Sequence, residues 1–89
     1  MNNKMSMISY KVTENERFQT IARNVKTYRT RMKWSRGELA EKAGCSIFMI
    51  YEIEEGKRPF KTADLLLVAT ALDVDLTELL QINSSEMAL

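Results

Sequence analysis

Two serines, Ser35 and Ser46, each stand at the head of a short helix-forming run, and each run is closed by a glycine, Gly44 or Gly56. A serine at an N-cap accepts a hydrogen bond from a backbone N–H of the first turn. A glycine past the last turn takes the left-handed conformation that ends a helix. Residues 35–58, S-R-G-E-L-A-E-K-A-G-C-S-I-F-M-I-Y-E-I-E-E-G-K-R, therefore predict two short helices joined at a tight turn. Ser35 with Glu38 completes a capping box for the first of them. Ala40 and Ala43 keep that helix slim on its inner side, so the second can cross it closely and at a steep angle.

The rest of the chain reads as three more helices. Thr13 and Glu16 form a capping box, after which Phe18, Ile21, Val25, Tyr28 and Met32 recur at spacings of three and four, predicting a helix over 14–32. Leu39, Ala40 and Ala43 face inward from the second helix, and Ile50 and Ile53 from the third. Thr62 opens a fourth helix with Leu65, Leu66, Val68, Ala69 and Leu72. Asp75 with Glu78 caps a fifth carrying Leu76, Leu79, Leu80 and Ile82. Five helices with short connections predict a compact all-α domain over 13–82. An arm precedes it over 1–12, where Ile8, Tyr10 and Val12 alternate like a short strand, and a tail follows over 83–89.

At 89 residues the chain is one domain, just large enough to close a single core. No apolar run is long enough to span a bilayer, and the first residues lack the apolar stretch of a secretory signal. Cys45 is the lone cysteine, which gives no internal disulfide and no metal cluster and reads as a small hydrophobe in a reducing cytosol. There is no histidine, no phosphate-cradling glycine loop and no metal-ligand spacing, so neither catalysis nor a cofactor is expected. The net charge is only +1 but it is polarised. Arg17, Arg23, Lys26, Arg29, Arg31, Lys33, Arg36 and Lys42 face only Glu38 and Glu41 within residues 17–42, and beyond Lys61 every charge is acidic. A one-sided distribution of this kind fits a phosphate-facing surface.

The ordered motifs resemble those of the phage-repressor family of helix-turn-helix regulators, the lambda repressor-like or XRE type. They are Ile21-x-x-x-Val25-x-x-Tyr28-Arg29, Trp34-Ser35-x-x-Glu38-Leu39-Ala40, Ala43-Gly44-Cys45-Ser46 and Ile50-x-x-Ile53-Glu54-x-Gly56-Lys57-Arg58. Leu65-Leu66-x-Val68-Ala69-x-Ala71-Leu72 and Val74-x-Leu76-x-Glu78-Leu79 follow, so the likeness covers about residues 17–80. The resemblance implies a cytoplasmic, bacterial or phage, sequence-specific DNA-binding regulator, a repressor. It would act as a homodimer on a two-fold operator, with a recognition helix over about 46–55 in the major groove. Arg36 stands where the family places a glutamine near backbone phosphate. Ser46 caps the recognition helix and can donate to phosphate, Lys57 and Arg58 match a phosphate clamp after it, and Lys61 adds to them. Arg29 and Glu54, at the inner edges of their helices, match a structural ion pair and are assigned to holding the first helix against the third.

The outer face of the third helix departs from the family. Phe48, Tyr51, Glu52 and Glu55 occupy it with Ile47 and Met49 on its flanks, where relatives carry serine, glutamine, arginine, threonine or asparagine. Two readings of the face stay open, and a third has Phe48 contacting the arm or a second subunit. On DNA, Ile47 or Phe48 packs on thymine methyls, Tyr51 bonds phosphate and Glu52 accepts from cytosine N4. Otherwise this apolar, acidic face binds a protein partner through Phe48 and Tyr51, as in an antitoxin or anti-repressor module. A dimer contact is available to the fifth helix with Ile82, Met87 and Leu89, or to the Ile8/Tyr10/Val12 arm.

Overall fold

The computed structural model describes residues 14–57 and 60–81. Five helices follow one another: α1 (Glu14–Arg31), α2 (Arg36–Ala43), α3 (Ile47–Glu55), α4 (Thr62–Leu72) and α5 (Leu76–Leu80), with no strand among the described residues. The expected all-α architecture holds. The arm, Thr13, Ile82 and the tail lie outside the described residues, as does Arg58.

A single core joins the helices. Ile21 and Val25 of α1 meet Leu39 and Ala40 of α2, Ile50 and Ile53 of α3, Leu65, Val68, Ala69 and Leu72 of α4, and Leu79 of α5. α1 packs on α3 and α5, and α2 on α3 and α4. Phe18 and Phe60 meet edge to face with centroids 5.3 Å apart, fixing the start of α1 to the segment before α4. The short α5 is held by polar contacts as well as by Leu79. Asn24 Nδ2 donates to the carbonyls of Leu79 at 2.8 Å, Gln81 at 2.7 Å and Glu78 at 3.4 Å, and Tyr28 Oη donates to Glu78 Oε1 at 3.2 Å. Burial, with the negative charge of Glu78 and this bond, pushes the Tyr28 phenol above its usual range.

Four helices close with the same turn. In each, the residue after the helix or shortly beyond it is left-handed: Lys33 (φ 63°), Gly44 (φ 72°), Gly56 (φ 63°) and Asp73 (φ 60°). The next residue's N–H reaches back to a carbonyl of the last turn, as in Trp34 to Arg29 at 3.2 Å, Cys45 to Ala40 at 3.0 Å, Lys57 to Glu52 at 3.1 Å and Val74 to Ala69 at 3.0 Å. The two glycine stops were legible in the sequence. The stops at Lys33 and Asp73 were not.

Three apolar residues of the sequence pattern, Met32, Leu66 and Leu80, are exposed. Met32 falls just past the end of α1, in the turn that Lys33 closes, and points away from the core. Leu66 and Leu80 each follow a buried leucine, and one residue along a helix turns a side chain about 100° away from its neighbour. Leu67 is exposed for a similar reason.

Candidate nucleic-acid interface

The paired short helices are built as their caps require. Ser35 Oγ accepts from the Glu38 N–H at 3.0 Å, and the Glu38 carboxylate accepts from the Ser35 N–H at 2.7 Å, closing the capping box of α2. Gly44 turns the chain, and Ser46 Oγ accepts from the Met49 N–H at 3.1 Å to start α3. Ile50, Ile53 and Glu54 point inward from α3, with both isoleucines fully buried. Outward stand Phe48 at 75% exposure, Ile47 at 48% and Tyr51 at 46%, with Glu55 also exposed, Glu52 half-buried and Met49 packed at the edge of the core.

The inner side of α3 is anchored by charge as well as by apolar packing. Glu54 has no exposed side-chain surface, and its carboxylate is shared by two guanidinium groups. Arg29 of α1 donates from Nε to Oε2 at 2.6 Å and from Nη2 to Oε1 at 3.0 Å, and its Nη1 also holds the Trp34 carbonyl at 2.7 Å. Arg36 of α2 donates from Nε to Glu54 Oε1 at 2.9 Å and from Nη2 to Glu55 Oε2 at 3.3 Å. Among the described residues no buried side-chain polar atom lacks a partner. One carboxylate thus ties three helices together.

Arg36, expected from the sequence to lie near phosphate, is held on its inner side by two carboxylates. Besides its two carboxylate bonds, its guanidinium lies 4.7 Å from the centroid of the Tyr51 ring. The hydrogen bond to Glu54 pushes it above its already high usual value, so it is permanently charged but internally balanced. About a quarter of its side chain (27%) remains open to solvent. No local spacing links Arg36 to Glu55, so only the crossing of α2 over α3 brings them together.

The other expected cations do not share this network. Lys57 and Lys61 are exposed on either side of the undescribed pair 58–59, and Ser46 is exposed at the head of α3. Lys42 lies 5.0 Å from the Trp34 ring centroid. Cys45, in the turn between α2 and α3, is half-buried against the core, and burial with the nearby Asp64 charge raises its thiol above the usual range. No cluster of His, Cys, Asp or Glu among the described residues is arranged to hold a metal, and no described helix is long and apolar enough to cross a membrane.

Solved structures share this arrangement. The restriction-modification controller protein C.AhdI from Aeromonas hydrophila is 27% identical, with a TM-score of 0.67 over 70% of this chain and 94% of that one. An HTH_3 family transcriptional regulator from Vibrio cholerae is 25% identical, with a TM-score of 0.72 over 75% of this chain but only 38% of that longer one. A hypothetical transcription factor from Neisseria shares the fold at 20% identity, with a TM-score of 0.76 over 88% of this chain and 91% of that one. No curated protein sequence matches the chain. The HTH_3 helix-turn-helix family model matches residues 25–79, from the middle of α1 through Leu79 of α5. Most of the chain is thus accounted for by a single family, and the protein belongs to the HTH_3 helix-turn-helix family.

Proposed function

We propose that this protein is a sequence-specific DNA-binding transcriptional regulator, acting as a repressor, that sets α3 in the major groove. The observation that carries the reading is the two-sidedness of α3. Its inner side is locked by Ile50, Ile53 and the shared Glu54 carboxylate, while Ile47, Phe48 and Tyr51 stand outward on a rigid support. Family membership and likeness to a restriction-modification controller and to an HTH_3 transcriptional regulator support the same class of activity.

In this reading Lys57, Arg58 and Lys61 engage phosphates beyond the end of α3, and Ser46 adds its hydroxyl at the beginning. Arg36 lies close to the backbone through its exposed edge, but Glu54 and Glu55 already balance its charge. Lys57 therefore contributes more to the salt dependence than Arg36 does. The protein acts as a homodimer on half-sites about one helical turn apart. The outward side of α4 supplies apolar surface for it, since Ala63, Leu66, Leu67 and Thr70 are exposed opposite the buried Leu65, Val68, Ala69 and Leu72.

Selection of bound sequences from random duplex, followed by titration at several salt concentrations, tests this. A two-fold operator should emerge, with affinity falling steeply between about 50 and 200 mM salt, and Lys57→Ala should reduce the slope by about one. The exposed Phe48 supports a second reading, a protein partner docked on α3. Absence of any duplex binding at low salt would favour that partner.

A further inference from the structure

The chemistry of a groove-facing helix limits which base edges it reads. Guanine O6 and N7 are best met by a guanidinium or ammonium, and adenine N6 and N7 by a carboxamide. α3, I-F-M-I-Y-E-I-E-E, contains none of these groups. Arg36 is the guanidinium fixed against its outer side. Reaching a base would require it to leave Glu54 at 2.9 Å, Glu55 at 3.3 Å and the Tyr51 ring. That cost is high for a partly buried ion pair, so Arg36 stays with its carboxylates.

The outward groups that open α3 are apolar. Ile47 and Phe48 open α3, and helix-turn-helix proteins bring the N-terminal residues of the recognition helix to the bases. Ile47 is half covered, with its Cδ1 3.7 Å from where a Cβ on Gly37 of α2 would stand. Phe48 is 75% exposed, the most open large apolar side chain among the described residues. The major groove offers one apolar feature for it, the C5-methyl of a pyrimidine.

We infer that Phe48, beside Ile47 at the head of α3, reads pyrimidine C5-methyl groups, so that operator specificity is set by methyl-bearing positions rather than by guanine edges. This rests on the DNA-binding reading above. Thymine carries that methyl, and so does 5-methylcytosine.

The test starts from duplexes recovered by selection with the full chain. Each half-site thymine is replaced singly by uracil, and each cytosine singly by 5-methylcytosine, and affinity is measured with the natural protein and with Phe48→Ala. Loss of one methyl contact should weaken binding roughly four-fold. A uracil penalty that disappears in Phe48→Ala assigns the contact to thymine. A 5-methylcytosine gain that disappears in the same variant assigns it to methylated cytosine. Because Phe48 is exposed, that variant keeps its fold, as circular dichroism will register. Tight operators insensitive to both replacements, or a penalty that persists undiminished in Phe48→Ala, overturn the inference and leave DNA binding standing. Failure to recover any duplex at low salt overturns the underlying reading with it and turns the α3 face toward a protein.

Discussion

Arg29 of α1 grips the Glu54 carboxylate of α3 with two hydrogen bonds, at 2.6 and 3.0 Å, where the arginine side chain is 11% exposed and the glutamate not at all. Such a pair is weak evidence for net stability, because both ions lose their hydration. Breaking it from one side, however, strands a buried charge. Arg29→Met should therefore lower stability by about 3–5 kcal/mol, with Arg36 left as the main partner of Glu54. Urea denaturation should show a lower midpoint at an unchanged slope. Arg29→Met combined with Glu54→Leu should cost less than the two single changes added together. An additive double variant would show that the two residues do not act as a pair.

Asn24 does for α5 what no residue within that five-residue helix can do. Its amide donates to carbonyls at the end of α5, at 2.8 and 2.7 Å for Leu79 and Gln81. Asn24→Leu removes the donor and should destabilise by about 1–3 kcal/mol. Asn24→Asp should be worse, since a carboxylate would face carbonyl oxygens. Hydrogen exchange should show α5 opening well before α1 in either variant.

The four left-handed stops make opposite predictions according to residue type. A Cβ at Gly44 meets nothing within 4 Å, so Gly44→Ala costs only the backbone strain, about 1–2 kcal/mol. Lys33 already bears that strain, so Lys33→Gly should stabilise by about 0.5–1 kcal/mol. At Gly56 a new Cβ would fall 2.4 Å from Gln19 Nε2, the flexible end of a side chain. Gly56→Ala should consequently be more costly than Gly44→Ala, and Gln19→Ala should relieve part of the excess. Thermal melts of the double variant against the singles check this coupling.

These stops also mark how far the residues alone announce the fold. Gly44 and Gly56 show their conformation by their identity, because a left-handed residue is cheap only for glycine. Lys33 and Asp73 adopt it without a glycine, Asp73 at less cost than Lys33, and neither identity marks a stop as plainly as glycine does. The capping boxes at Ser35 and Asp75 and the buried Ile50 and Ile53 were legible for a similar local reason. The exposure of Leu66 and Leu80 is not announced by the residues, because a leucine beside a buried leucine fits the same apolar pattern whichever way it points. On the candidate site, the resemblance placed Arg29 and Glu54 together correctly. The capture of Arg36 by Glu54, Glu55 and Tyr51 depends on the helix crossing, which no spacing encodes.

Cys45 gives a pH prediction with a definite sign. Burial, reinforced by Asp64, pushes its thiol up in the folded chain. The folded state then holds the proton more tightly than the unfolded state does. Its contribution to stability is fully present below the ordinary thiol range and is lost as pH rises through the raised folded value. Stability measured from about pH 7 to 10 should fall more steeply for the natural chain than for Cys45→Ala. Alkylation by iodoacetamide should need a higher pH in the folded protein than in urea. Equal alkylation profiles in the two states would remove the shift.

The outward side of α4 gives the last prediction. Leu66 at 48% and Leu67 at 43% exposure lie there with Ala63 and Thr70, and no charged residue separates them along that side. Withdrawing two half-exposed leucines from water on each of two protomers favours association by a few kcal/mol, at about 25 cal/mol per Å² of apolar area. For the proposed homodimer, Leu66→Glu with Leu67→Glu should therefore yield a monomer by light scattering at concentrations where the natural chain is tested for association. Neither side chain is in the core, so the melting temperature at low concentration should change little. Operator affinity should drop far more than single half-site affinity, because the second half-site is reached through the tether of the first. A variant that remains dimeric would move the contact elsewhere, to α5 with Leu80 or to residues beyond it.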